Sequence, residues 1–163
     1  MSEFGTLAPE ATDWTGLRLT YSQTVSVLRD IVREAGEGYT YEQPEVPLCD
    51  GSGETAPIGC VYVHNGKPSC LIGQMFGRVF GSAFLNALVD AGMNDMTSAH
   101  EVLDSFHIDA DGNVRTLVRV VQGWQDKHNT WTASLEAGES AVADTANGNI
   151  YAEDTWLQMA GTE

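Results

Sequence analysis

Short apolar stripes, each cut off by glycine, constrain this chain more than any other feature. Val25, Leu28, Ile31, Val32 and Ala35 recur at the i, i+3, i+4, i+7 spacing of one helical face, and Gly36 follows them. That spacing predicts a helix over 22–35. The pattern returns at 83–91, closed by Gly92, and over 114–126, where Val114, Leu117, Val118, Val121 and Trp124 share a face. Ser98 and Glu101 form a capping box ahead of Val102, Leu103 and Phe106. Thr130 is placed to cap a helix carrying Trp131, Leu135 and Val142 inward, and Trp156 marks a last helix around 154–159. No stripe is long, so the helices must bury their faces against one another.

Strand signals are few. Tyr39 and Tyr41 alternate with polar residues ahead of Pro44, and 60–64 reads CVYVH, bounded by Gly59 and Asn65-Gly66. These two segments are expected to pair as a small antiparallel ribbon, with a Gly/Ser/Pro-rich loop over 48–59 between them. After the Asn-Gly turn, Ser69 reads as an N-cap, which sets Cys70 in the first turn of a helix. That helix carries Gly73, Gly77 and Gly81 at spacings of four, on one face. Each glycine costs about 1 kcal/mol relative to alanine inside a helix. The row therefore needs a reason, either internal packing or a dimer face. A break is expected at Gly81-Ser82, with Ser82 capping the next helix.

The expected fold is thus mostly α (α+β), with six or so short helices packed around one core and a small antiparallel β-ribbon. Residues 1–19 read as an arm or tail and 20–163 as a single globular domain, since 163 residues suit one domain. Charge narrows the partners. The chain has 23 acids against 8 bases, net −15. Over 79–114 and again over 128–163 there are six acids and no base. Such a chain repels phosphate backbones and anionic lipid. The run LIGQMFGRVF is broken by Gln74 and Arg78, short of the about 20 apolar residues of a membrane span. The opening MSEFGTLAPEATDW lacks an apolar leader core, which predicts a cytosolic setting with reduced thiols.

Candidate chemistry is sparse. Cys49, Cys60, His64 and Cys70 are zinc-type ligands without a C-x2-C pair. On a strand, Cys60 and His64 lie roughly 13 Å apart at ~3.3 Å per residue, too far for one ion. DADGN at 109–113 resembles the start of an EF-hand loop, but its glycine comes early and Val120 stands where a bidentate Glu is needed. An Asp/Gly turn that caps the next helix is the simpler reading. His100 and His128 read as solvated helix residues. No phosphate loop, dinucleotide fingerprint or H-E-x-x-H is present, and no cofactor is expected. A thiolate at a helix N-terminus is stabilised, so Cys70 with His107 and Asp109 forms a triad on paper. Cysteine is also among the most buried residue types, and Leu71 and Ile72 follow it.

The succession CVYVHNGKPSCLIGQMF, a capped helix, then VVQGWQDKHNTWTASLEAGE resembles small uncharacterised actinobacteriophage proteins over about 60–142. The resemblance implies a phage protein made in the cytoplasm of its bacterial host. It implies no catalytic residues. The expected function is non-catalytic: an acidic protein, monomeric or homodimeric, that binds or inhibits a bacterial host protein. Two alternatives stand beside it, a DNA mimic occupying a nucleic-acid-binding site and a cysteine hydrolase using Cys70.

Overall fold

The computed structural model describes residues 14–48, 50–57, 61–95 and 97–161, excluding the side chains of 46, 47, 56 and 57. In chain order the elements are β1 (Arg18–Leu19), α1 (Tyr21–Ala35), β2 (Glu45–Pro47), β3 (Thr55–Pro57), β4 (Val63–His64) and β5 (Lys67–Pro68). Then follow α2 (Leu71–Phe80), α3 (Ser82–Asp90), α4 (Ala99–Ser105), β6 (Asp109–Ala110), α5 (Gly112–Asp126), α6 (Trp131–Ala146) and α7 (Ala152–Ala160). The fold is mostly α with a little β, as the stripes require.

The helix ends follow their caps. Thr20 and Gln23 form a reciprocal box at the start of α1, with bonds of 3.2 and 3.0 Å. Asp111 Oδ1 accepts from Val114 N–H at 3.0 Å, and Thr130 Oγ1 from Ala133 N–H at 3.0 Å. Gly81 holds φ at 90°, a conformation that lets α2 stop and α3 start at a single residue. The cap of α3 is this glycine rather than Ser82, which is already the first helical residue.

The β pieces differ from expectation. Val63–His64 pairs antiparallel with Lys67–Pro68 across Asn65-Gly66, both at positive φ. This tight local turn closes a far shorter loop than pairing with Tyr39–Tyr41 would. Thr40 instead makes an isolated bridge to Thr130, and the Tyr39 carbonyl accepts from Trp131 N–H at 2.9 Å. Part of the expected loop over 48–59 is ordered as β3, which pairs antiparallel with β2. A parallel pair joins β1 to β6. Of the expected arm over 1–19, residues 1–13 lie outside the described residues, while Trp14 is 4 % exposed and Leu19 lies in the core.

That core has two centres. The larger contains an aromatic chain in which Phe84 meets Phe76, Phe80, Phe106 and Trp14 at centroid distances of 4.7 to 5.4 Å. The smaller lies where α5, α6 and α7 meet, with Val120, Ala137 and Ala141 under Trp124, Trp156 and Leu157. Here α5 and α6 approach closely at Gly138, where a Cβ would fall 2.6 Å from Val121 Cγ2.

Candidate functional site

The strand–turn–helix corner around Cys70 is held by backbone bonds and by the carboxamides of buried Gln125 and half-buried Asn94. Ser69 N–H donates to the Tyr62 carbonyl at 2.8 Å, and Cys70 N–H to the Val61 carbonyl at 3.2 Å. The Ser69 hydroxyl pairs with Tyr41 Oη at 2.7 Å. These bonds keep Ser69 outside the helix, so the cap moves to Cys70, whose Sγ accepts from Gly73 N–H at 3.4 Å. Gln125 on α5 accepts from Leu71 N–H at 2.8 Å and satisfies another of the free donors at the start of α2. Asn94 grips Val63 with both ends of its carboxamide, at 2.8 Å to N–H and 2.8 Å to C=O.

This geometry places Cys70 as a capping and packing residue. Its side chain has no exposed surface. His107 and Asp109 are exposed, in the turn that pairs with the 14–19 segment. Their backbones are used there: the His107 carbonyl accepts from Gly16 N–H and Asp109 N–H donates to the Leu17 carbonyl, each at 2.8 Å. The paper triad is therefore split between a sealed thiol and a surface turn. Val120, at the last position of the EF-hand-like register, is fully buried. Cys49 and Cys60 lie outside the described residues. Among those described, no three His, Cys, Asp or Glu side chains are grouped to hold a metal ion.

The glycine row has three separate causes. A Cβ on Gly73 would sit 2.2 Å from the Tyr62 carbonyl oxygen, so the hairpin backbone lies directly on this position. At Gly77 it would meet Leu85 Cδ1 at 3.2 Å and Pro68 at 3.6 Å. Gly81 is the helix junction.

Two adjoining depressions follow the outer face of α2, and both are lined by Gln74 and Arg78. One, about 310 Å³, is formed with Pro68, Gly77 and Leu85. The other, about 290 Å³, is formed with Ile31, Glu34, Tyr39 and Trp131. Arg78 and Glu34 form a two-pronged pair at 2.7 and 3.0 Å. The pair holds the Glu34 carboxyl below its ordinary pKa and lifts that of Arg78. Burial, and secondarily Glu42, raises the Tyr39 phenol. Trp131 is 1 % exposed and its Nε1 has no hydrogen-bond partner among the described residues. The sequence marks Trp131 as an inward residue but carries no sign of this unpaired donor, nor of Gln74 as a groove residue.

Most of the positive charge is neutralised at the surface. Arg29 pairs with Glu139, Arg33 with Asp30, Arg78 with Glu34, Arg115 with Asp104 and Arg119 with Glu153. Exposed Glu37, Glu42, Asp90, Asp95, Glu136 and Asp154 are in none of these pairs. Ile150 and Tyr151, at the turn into α7, are 80 % and 66 % exposed. Among the described residues, no helix is long and apolar enough to cross a membrane. No protein-family model, curated protein or solved structure matches the chain.

Proposed function

We propose that this is a non-catalytic interaction protein whose exposed carboxylates meet a basic surface of a bacterial host protein. The observation that carries the reading is the disposition of charge. Of 8 bases in the chain, five arginines are already bound to carboxylates, so the net −15 is expressed by acids outside those pairs. Such a surface steers basic partners and repels nucleic acid. Ile150 and Tyr151 add apolar contact area beside Asp154 on the exterior. The phage-like sequence pattern supplies the setting, a protein made in a bacterial cytoplasm.

The DNA-mimic reading needs uninterrupted rows of carboxylates, and the arginines of α1 and α5 interrupt those helices. The hydrolase reading needs an accessible thiolate, and the burial of Cys70 weighs against it. Capture from bacterial lysate tests the leading reading. The tagged protein is expected to retain one or a few basic proteins at low salt and to release them as salt rises. Nothing retained above background at either low or moderate salt would overturn it.

A further inference from the structure

A separate depression, about 450 Å³, lies between the β4–β5 hairpin and the end of α3. Its walls include Val63 and Asn65 on the hairpin and Asn86, Val89 and Asp90 on α3. It differs from the other clefts in charge. Arg78 lines both depressions along α2, and Arg29 and Arg33 line the cleft on the outer face of α1. Among the described residues, no arginine, lysine or histidine lines the cleft at α3. The nearest base in the chain, Lys67, pairs with His64 across the hairpin, and strand alternation turns both to the face opposite Val63. Asp90 is exposed and joins no ion pair among the described residues. As the last residue of α3, it adds its charge to the negative end of the helix. Asn86, one turn earlier, has a carboxamide without a hydrogen bond to the described residues. Asn65 Nδ2 lies 3.2 Å from His64 Nε2, which leaves its Oδ1 as an acceptor. Val89, 41 % exposed, puts apolar surface beside these oxygens.

We propose that this cleft seats an arginine side chain of the basic partner. The inference rests on reading the protein as an interaction module and names one group the partner must carry. The aliphatic stem of the arginine lies over Val89. Its guanidinium forks onto the Asp90 carboxylate, and the side-chain oxygens of Asn86 and Asn65 take further N–H groups. A guanidinium has five N–H donors in one plane and no acceptor, so one carboxylate with free carboxamide oxygens around it matches that shape. A lysine ammonium is a point charge and cannot fork in this way. The net charge of −15 draws the cation in, and the cleft holds no cation of its own to compete with it.

Titration of the ¹⁵N-labelled protein with Ac-Arg-NH₂, Ac-Lys-NH₂ and Ac-citrulline-NH₂ tests this. Citrulline keeps the length and planar head of arginine without its charge. Ac-Arg-NH₂ is expected to shift the Asn86 and Asn65 side-chain N–H signals and the Asp90 amide saturably. Ac-citrulline-NH₂ is expected to bind about tenfold more weakly and Ac-Lys-NH₂ about threefold more weakly. Asp90→Asn alters an exposed side chain in no ion pair, leaves the fold intact, and is expected to reduce Ac-Arg-NH₂ to the affinity of the citrulline probe. The absence of a saturable shift overturns the proposal, as does equal affinity for Ac-Arg-NH₂ and either other probe, or a shift that Asp90→Asn leaves unchanged. Two further outcomes separate this idea from the broader reading. If Ac-Arg-NH₂ does not bind while lysate capture succeeds, the cleft is wrong and the interaction reading stands. If Ac-Arg-NH₂ binds as described while lysate capture fails, the cleft stands and the broader reading falls.

Discussion

Gly73 shows how one backbone contact fixes a residue type. Alanine gains about 1 kcal/mol over glycine from helix propensity. At Gly73 its Cβ would lie 2.2 Å from a backbone oxygen, which cannot rotate away as a side chain can. Overpacking of this kind costs typically 1–3 kcal/mol and occasionally more. Gly73→Ala is therefore expected to lower stability by at least about 1 kcal/mol in urea unfolding. Gly112→Ala, where nothing lies within 4 Å, is expected to raise it by about 0.4–1 kcal/mol. Equal effects of the two would show that the Tyr62 contact is not as tight as described. Cys70 offers a second check at this scale. Its thiol is sealed, so peptide-resolved alkylation is expected to leave it unmodified in the native protein and to label it readily in urea. Rapid native labelling at that position would reopen the hydrolase reading.

At the scale of elements, Gln125 ties α5 to the N-terminus of α2. Replacing it with Met keeps the volume but leaves Leu71 N–H buried without an acceptor. A loss of about 1–3 kcal/mol is expected in thermal or denaturant unfolding. The helices themselves were legible in the sequence, because their stripes and the caps at Thr130 and Asp111 act within a few residues. What was not legible depended on remote groups. Ser69 is held out of α2 by Tyr62 and Tyr41, so the cap passes to Cys70, and a cysteine carries little cap signal of its own. The Tyr39–Tyr41 segment meets Thr130 and Trp131, a long-range choice that alternation cannot register. The α2 groove lies on the face the stripe leaves polar, where a period reports only that the residues are outside. Gly138 gave no row or motif, yet it sets the approach of α5 to α6.

The whole molecule is governed by like charge. With net −15, self-repulsion opposes compaction, and salt screens it over a Debye length of about 8 Å at 0.15 M. The melting temperature is expected to rise between low and physiological salt, and a fall would mean that the surface ion pairs outweigh the repulsion. Acid has an opposing effect. Glu34 and Asp104 have lowered pKa values because Arg78 and Arg115 bond their charged forms. A lowered folded-state value gives stability that is full above the ordinary carboxylate range, about pH 4, and is lost as pH falls through the lowered values. Both groups are exposed, so the effect is small. Glu34→Gln is expected to lower stability slightly at neutrality and to converge with wild type below about pH 4, which flattens the fall in acid. An unchanged acid limb would remove the Arg78 pair from the account.

The central claim is that exterior carboxylates, and no sulfur chemistry, carry the function. Lysate capture compared among wild type, a variant with Glu37, Glu42, Asp90, Asp95, Glu136 and Asp154 changed to Asn or Gln, and Cys70→Ser tests it most directly. The account expects the same salt-sensitive host protein on wild type and Cys70→Ser and its loss from the neutralised variant. Retention by the neutralised variant together with loss from a folded Cys70→Ser would contradict it.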